Sequence, residues 1–167
     1  MEFRRTIDQD VNKIIEIINQ AQEYFKENNI DQWQDGYPNL EVIKEDIKNG
    51  YSYVLLKDNE IVATGAISFE KEPTYERIYD GQWYSHGEYA VIHRIAVDRN
   101  LKGQGLGIEI IKEAEKLALK NGIHSIKIDT HEHNISMQKL LQKNGFQYCG
   151  IIYLMDNSKR MAFEKIL

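Results

Sequence analysis

The chain of 167 residues has one cysteine, Cys149, and two prolines, Pro38 and Pro73. A single cysteine excludes an intrachain disulfide framework and fits a reducing compartment. A chain of this length buries roughly two-thirds of its unfolded surface, so it can be stable without disulfides or a structural metal. We therefore expect a single domain over residues 1–167.

Long apolar runs and basic tracts are absent as well. No stretch approaches the roughly 20 apolar residues that span a bilayer, and no apolar segment typical of a signal peptide follows Met1-Glu2-Phe3-Arg4-Arg5. The formal net charge is −5, without the lysine and arginine clusters of a nucleic-acid-binding surface. These absences predict a cytoplasmic protein that binds neither membranes nor nucleic acids, and the charge weakly favours a cationic or neutral substrate.

The residues that are present predict alternating strands and helices. Asp8, Asn39 and Asn134 are candidate helix caps, and Asp58-Asn59 is a two-residue hairpin signal between apolar runs. Residues 70–87 lack a clear period, which favours a long loop or an extended hairpin tip. The predicted order is β-α-α-β-β-β-α-β-α-β-β, with strands over residues 3–6, 51–57, 60–69, 88–97, 123–130, 146–154 and 159–165.

One helix connects the predicted strands 88–97 and 123–130. Such a βαβ crossover favours parallel neighbours. These strands therefore belong to a mixed sheet, and the expected fold class is α/β.

Three alternating glycines, Gly103, Gly105 and Gly107, lie between an apolar strand and an amphipathic helix. A helix start offers backbone N–H groups and a partial positive charge, and glycine allows a bulky anion to approach the backbone. Lys102 adds a full positive charge. A turn that merely starts a helix needs only one glycine, so we expect a phosphate or pyrophosphate ligand at this loop.

The spacing excludes two common nucleotide loops. Ile108-Glu109 follows Gly107 where a mononucleotide P-loop would have Lys and Ser or Thr. The third glycine also comes one position too early for the dinucleotide fingerprint, and the preceding strand is in the middle of the chain.

The segment Lys102-Gly103-Gln104-Gly105-Leu106-Gly107 resembles the Gln/Arg-x-x-Gly-x-Gly/Ala signature of the GCN5-related N-acetyltransferases, the GNAT family. Lys102 replaces the usual glutamine or arginine. Asn134 followed by Lys143-Asn144-Gly145-Phe146 is similar to the second family motif. The predicted order of elements is also that of the GNAT acyl-CoA N-acyltransferase fold, so the resemblance covers nearly the whole chain. It implies a central mixed, mostly antiparallel sheet with one parallel βαβ crossover.

The resemblance implies acetyl-CoA as co-substrate. The strand carrying Ile95, Ala96 and Val97 would bind the acetyl carbonyl and the pantetheine arm through its backbone, because a bulge splays it from its parallel neighbour. An N–H donor at the thioester carbonyl would stabilise the developing charge. Asn134 would contact the pantetheine arm. The pyrophosphate would be held at Lys102, Gly103, Gln104, Gly105, Leu106, Gly107 and Ile108.

The general acid and the general base each have several candidates. Many family members have a tyrosine as general acid where this chain has Leu141, so Tyr148, Tyr153 or water would substitute. The thiol of the coenzyme has a fairly low pKa and can also leave without an acid. An amine acceptor must lose a proton before direct attack. The candidate bases are Glu88, His93, Asp129 and His131.

Several residues have competing interpretations. Asp129 and His131 follow a strand and could bind the acceptor or relay a proton, and Trp33 could form a wall of the acceptor pocket. The other aromatic residues of the long loop are expected to pack it or to serve a dimer surface. His131-Glu132-His133 is a weak pattern for zinc, so no metal is predicted. Cys149 could carry an acetyl group, although a small buried side chain is the simpler interpretation.

The sequence thus predicts an acetyl-CoA-dependent N-acetyltransferase that acts on a primary amine of a small molecule, an amino acid derivative or a peptide. A non-catalytic acyl-CoA sensor or interaction module is the alternative, because Leu141 replaces the family's tyrosine. A nucleotide-binding protein is a third hypothesis. Dimers are common in the family, so a homodimer is expected by analogy only.

Overall fold

The computed structural model describes all residues, 1–167, and contains seven strands, four α-helices and three short 3-10 helices. The 3-10 helices are Asp8–Asp10, Pro73–Tyr75 and Arg99–Leu101. The helices are α1 (Val11–Glu27), α2 (Leu40–Lys48), α3 (Leu106–Lys120) and α4 (Ile135–Lys143). The strands are β1 (Glu2–Arg5), β2 (Ser52–Lys57), β3 (Glu60–Ser68), β4 (Ala90–Val97), β5 (Ser125–Thr130), β6 (Gln147–Tyr153) and β7 (Lys159–Ile166).

The strand order β1-β2-β3-β4-β5-β7-β6 describes a seven-stranded mixed sheet. Strands β4 and β5 run parallel, and the pairs β1–β2, β2–β3, β5–β7 and β6–β7 are antiparallel. The predicted fold class and element order are confirmed. The chain divides into two compact units, Met1–Ile67 with His93–Glu113 and Ser68–Ile92 with Ala114–Leu167. They are called the first and the second unit below.

In the first unit, helix α1 packs its apolar face against the sheet. The side chains of Ile14, Ile17 and Ile18 are buried with those of Val54 and Ala96. The residues recur at the three- and four-residue spacing of an amphipathic helix, which is why this face is continuous. Burial of each large aliphatic side chain stabilises the fold by about 1.5–3 kcal/mol.

Two turn and cap predictions in the first unit are confirmed. Asp58 and Asn59 have φ values of +51° and +65°, as a tight hairpin between β2 and β3 requires. The Asn39 side chain accepts a hydrogen bond from the amide of Val42 at 3.0 Å and so caps α2.

The predicted cap at Asp8 is wrong. The carboxylate of Asp10 instead accepts the amide of Ile7 at 2.9 Å and two bonds from the Arg4 guanidinium. A 3-10 turn precedes α1, so the stabilising carboxylate lies two residues later than expected.

In the second unit, the segment between β3 and β4, residues 69–89, packs onto β5, β6 and β7. The ring of Trp83 is buried and donates its indole N–H to the carbonyl of Tyr75 at 2.8 Å. Glu164 on β7 is fully buried and accepts the amide of Tyr84 at 2.6 Å, together with the hydroxyls of Ser85 and Ser125. The segment is therefore a long, ordered loop held by side chains, which is the first of the two predicted alternatives.

Backbone contact between this segment and β6 is very close. A Cβ atom placed on Gly81 would lie 1.9 Å from the carbonyl oxygen of Cys149, which no side chain tolerates. The carbonyl and amide of Tyr79 form an isolated bridge to Ile151.

One further boundary differs from the prediction. Strand β4 begins at Ala90, so Glu88 and Tyr89 belong to the preceding loop. None of the helices combines the length and the apolar character needed to cross a bilayer.

Candidate functional site

The glycine loop of the first unit, residues 102–107, has the open backbone that an anion site needs. Gly103 and Gly105 have φ values of +86° and +78°, a region that favours glycine. A Cβ atom on either residue would meet nothing within 4 Å. The glycines therefore serve the backbone conformation and leave space above it, and no neighbouring element fills that space.

The amides of this loop are only partly used. Gln104 donates to the carbonyl of Leu101 at 3.3 Å, and Ile108 and Glu109 donate to the carbonyl of Gly105. The amides of Gly103, Gly105, Leu106 and Gly107 have no backbone acceptor. Helix α3 starts at Leu106, so these N–H groups stand at the positive end of its dipole.

Two lysines stand next to the glycine loop. The Lys102 ammonium lies 3.5 Å from the ring centroid of Tyr24, which holds it by a cation–π contact. The Lys57 ammonium at the end of β2 donates to Oε1 of Gln104 at 3.1 Å. Lys57 was not predicted, because its place beside the loop depends on the β2–β3 hairpin and no local motif marks it.

The turn between β4 and the glycine loop is fixed by Asp98. Its carboxylate accepts the amide of Asn100 at 3.0 Å and the Lys13 ammonium at 3.1 Å, and its own amide donates to Val62 at 2.8 Å. Burial alone would raise the pKa of Asp98, but the bonds from Asn100 and Lys13 outweigh it and lower the pKa. The loop therefore starts from a rigid turn.

The backbone of β4 leaves the extended conformation at Arg94, whose φ is +55°, and this local irregularity is called the bulge below. This conformation costs a residue with a Cβ atom about 1–3 kcal/mol. The side chains that follow the bulge pack in two different clusters. After it, Ala96 packs with helix α1, whereas Ile95 and Val97 pack with Leu106 and Ile110.

The Arg94 side chain is held on three sides. Its Nε and NH2 groups donate to the Asp46 carboxylate of α2 at 2.8 and 2.6 Å, and NH1 donates to the Tyr37 hydroxyl at 2.7 Å. Burial by itself would lower the pKa of Arg94, but Tyr37 and Asp46 together raise it. The guanidinium is thus charged and forms a two-pronged pair with a buried carboxylate.

Trp33, the predicted wall of an acceptor pocket, lies in the loop between α1 and α2. Its φ is +58°, and its ring meets Phe25 edge-on at 5.5 Å while packing against the core. Its outer side borders a cleft of about 390 Å³. The other residues lining this cleft are Asn19, Gln22, Glu23, Lys26, Gln34 and Gly36.

Among the candidate bases, His93 lies in β4 of the first unit, one residue before the bulge, and is half-buried. Glu88 belongs to the second unit. It is exposed in the loop before β4, so its predicted place on the strand is wrong.

Asp129 and His131 lie at and just beyond the end of β5 in the second unit. The Asp129 carboxylate accepts the hydroxyl of buried Tyr75 at 2.6 Å. Burial, and next the charge of Asp129, raise the pKa of Tyr75 well above its ordinary value, so its hydroxyl keeps its proton. Nδ1 of His131 accepts the amide of His133 at 3.0 Å. Tyr75 is one of the aromatic residues expected to pack the long loop or to serve a dimer surface, but its bond to Asp129 was not predicted, because 54 residues separate the two.

Asn134 and Tyr148 also belong to the second unit. Buried Asn134 accepts the amide of Met137 at 3.2 Å and so caps α4, as predicted. Tyr148 is 42% exposed on β6, and its ring meets Phe163 edge-on at 5.8 Å. Leu141 is fully buried and belongs to the core.

Two other chemical interpretations lose their support. Burial raises the pKa of the Cys149 thiol to about 11, so very little of it is a nucleophilic thiolate at neutral pH. The rings of His131 and His133 are 5.2 Å apart, but the structure contains no group of three or more histidine, cysteine or acidic side chains that could hold a metal ion.

In the first unit, the end of β4 at Ile95–Val97 therefore leads directly, through the 3-10 helix Arg99–Leu101, into the loop 102–108. Asp129, His131, Asn134 and Tyr148 are held by separate neighbours in the second unit.

Comparisons with known proteins agree with this geometry. A sequence model of the acetyltransferase (GNAT) family matches residues 16–146. The uncharacterized N-acetyltransferase YesJ of Bacillus subtilis is 25% identical over 164 residues, which cover 94% of this chain and 85% of that protein.

Solved structures have the same fold. A GNAT-family acetyltransferase from Streptococcus agalactiae superimposes with a TM-score of 0.91 at 33% identity, over 99% of this chain and 95% of that one. The PaiA N-acetyltransferase of Thermoplasma acidophilum, solved with coenzyme A, has a TM-score of 0.74 at 17% identity, over 99% and 98% of the two chains. The chain belongs to the GNAT acetyltransferase family, whose fold implies acyl transfer from an acyl-CoA.

Proposed function

We propose that the protein transfers an acetyl group from acetyl-CoA to a primary amine by direct attack. The acceptor is a small molecule, an amino acid derivative or a peptide. One observation carries the proposal: the open glycine loop, whose amides at Gly103, Gly105, Leu106 and Gly107 have no backbone acceptor at the start of α3. That arrangement suits a pyrophosphate.

The residues of the first unit fit the coenzyme. Within the loop from Lys102 to Ile108, the amides of Gly103, Gly105, Leu106 and Gly107 would hold the pyrophosphate, with Lys102 and Lys57 neutralising its charge. The backbone of Ile95, Ala96 and Val97 would bind the pantetheine arm as an added strand would. Bound acetyl-CoA supplies an acetyl group activated as a thioester. In the second unit, Asn134 remains a proposed contact of the pantetheine arm.

Deprotonation of the acceptor is assigned to a small set of side chains. His93 is favoured over Glu88, because it lies on β4 one residue before the bulge, whereas Glu88 is exposed in a loop. Asp129, fixed by Tyr75, and His131 are proposed to bind the acceptor ammonium and to pass on its proton. Trp33 would form a wall of the acceptor pocket.

Protonation of the leaving thiolate is assigned to Tyr148. The residue is 42% exposed on β6. Leu141, at the position where many family members have the acid, is an apolar core residue and cannot take part.

The direct test is the release of coenzyme A thiol from acetyl-CoA in the presence of a broad amine panel. We expect turnover with at least one primary amine, and thermal stabilisation by acetyl-CoA but not by ATP or NAD. Tight binding of acetyl-CoA without turnover across the panel would instead support a non-catalytic acyl-CoA sensor. Failure of acetyl-CoA to bind would remove both hypotheses.

A further inference from the structure

We propose that Arg94 is a positioning residue: its clamp to Asp46 and Tyr37 holds the bulge of β4 and thereby sets the backbone of Ile95–Val97 for the coenzyme. The inference rests on the function proposed above, since it assigns a cause to the strand conformation that the coenzyme would use. It names three side chains outside the glycine loop as determinants of acetyl-CoA binding.

The backbone at Arg94 is exceptional within this chain. Seven residues other than glycine have positive φ, and five of these are asparagine or aspartate, which tolerate this conformation. Arg94 is the only one of the seven inside a strand or helix. Its side chain does nothing to ease a left-handed backbone, so contacts made elsewhere must hold the conformation.

The contacts of the guanidinium meet that requirement. Asp46 and Arg94 have side-chain exposures of only 9% and 14%, and they share two hydrogen bonds of 2.6 and 2.8 Å. The third bond goes to Tyr37, in the loop that also contains Trp33. A planar fork bound on two edges cannot rotate, so the side chain fixes where the β4 backbone turns.

The conformation of Arg94 determines the position of the next three residues of β4, Ile95–Val97. Beyond the bulge, Ala96 faces helix α1, whereas Ile95 and Val97 pack with Leu106 and Ile110 near the start of α3. β4 and β5 pair only at Ala90 with Ile126 and Val91 with Lys127, before the bulge. Release of the clamp would therefore let the segment after Arg94 return towards a regular strand and misplace its polar groups.

A second arginine–aspartate pair in the first unit provides a matched control. Arg4 binds Asp10 with two bonds of 2.7 and 3.1 Å, and Asp10 is as buried as Asp46. Arg4 lies in β1 without a positive φ. Asp10→Asn therefore weakens a similar ion pair without touching β4.

The test compares Asp46→Asn with Asp10→Asn at a temperature where both variants are folded. The dissociation constant and the KM for acetyl-CoA should rise about tenfold in Asp46→Asn and stay within about twofold of the wild type in Asp10→Asn. Arg94→Lys, which keeps the charge but loses the fork, should show a similar rise. Tyr37→Phe, which removes one bond, should show a smaller rise.

Equal coenzyme affinity in Asp46→Asn and wild type would overturn the inference, and so would an equal loss in Asp46→Asn and Asp10→Asn. If Asp46→Asn does not fold, Tyr37→Phe decides, and an unchanged KM in that variant overturns the inference. Failure of the wild type to bind acetyl-CoA overturns the proposed function instead, so the two failures are distinguishable.

Discussion

The glycine loop of the first unit and the segment of residues 69–89 in the second unit both depend on glycine, but for opposite reasons. Around Gly103 and Gly105 a side chain would find empty space. At Gly81 it would collide with the backbone of Cys149 at 1.9 Å. One region keeps glycine to leave room for something else, and the other keeps it because no room is left.

The polar groups of the two regions differ in the same way. The loop has backbone amides without backbone acceptors, and its lysines are exposed or partly exposed. In the segment, the amides of Tyr84 and Ser85 donate to buried Glu164, and Lys127 stands 4.5 and 4.2 Å from the ring centroids of Trp83 and Tyr89. A region with unused hydrogen-bond capacity is suited to binding, whereas one whose polar groups bind buried side chains is suited to stability.

Gly81→Ala is expected to have the largest effect on the free energy of unfolding. The new methyl group would force the segment away from β6 and lower that free energy by about 3 kcal/mol. Urea denaturation followed by circular dichroism measures the change. Gly87→Ala is the matched control in the same segment, because nothing lies within 4 Å of its Cβ position. Equal stability of the two variants would contradict the close packing.

Gly105→Leu is expected to act on binding rather than on folding. The side chain would occupy the space above the loop and weaken coenzyme A binding by roughly 100-fold, the equivalent of losing one or two charge-assisted hydrogen bonds. Isothermal titration calorimetry with coenzyme A measures it. Gly122→Leu is the control, since Gly122 has a similar φ of +70° and empty surroundings at the far end of α3. Retained affinity in Gly105→Leu would contradict the proposed role of the loop.

Acid should weaken the ion pair between Arg4 and Asp10, which lies just before α1 in the first unit. Hydrogen bonds from Arg4 are the main cause that lowers the pKa of Asp10 below its ordinary value of 3.8. The carboxyl group of Asp10 therefore binds a proton more readily in the unfolded chain than in the folded one. The stabilisation by the ion pair is complete above about pH 4 and is lost as the pH falls through the lowered pKa.

The variant Asp10→Asn should therefore cost about 1.5 kcal/mol at pH 7, and the difference from the wild type should shrink towards pH 2. Urea denaturation at both pH values measures it. A difference that is constant with pH would show that the charge of Asp10 contributes nothing.

The rate of alkylation of Cys149 is expected to show the smallest effect, but it reports selectively on the packing of residues 69–89. With a thiol pKa of about 11, roughly one molecule in a thousand carries the thiolate at pH 8. Alkylation by iodoacetamide should therefore be slow in the folded protein. It should speed up in Gly81→Ala and remain slow in Gly105→Leu. Similar rates in the two variants would mean that the tight packing does not protect the thiol.

Turns, helix caps and loops that depend on residues close together in the chain were predictable from the sequence. The Asp58-Asn59 hairpin, the caps at Asn39 and Asn134 and the glycine loop each depend on local backbone geometry, and the structure shows each of these turns and caps. The parallel pairing of β4 and β5 followed from the length of the crossover, and it is confirmed.

Features that depend on distant partners were not predictable. The resemblance implied a bulge in this strand, but the pair of Arg94 with Asp46 was not predictable because 48 residues separate the two. Tyr75 became relevant only through Asp129, and Lys57 only through Gln104. The cap at Asp8 was wrong because a 3-10 turn shifted the helix start. The roles of Glu88, His93 and Tyr148 remain predictions.

Lys57 and Lys102 have a consequence that extends beyond their immediate contacts. They place two positive charges beside one loop of a protein whose net charge is −5. A ligand rich in phosphates would feel their attraction from about 10 Å away at 0.1 M ionic strength, and from less at higher ionic strength. These lysines would then govern how often the ligand arrives, so added salt should slow its association while leaving its residence time nearly constant.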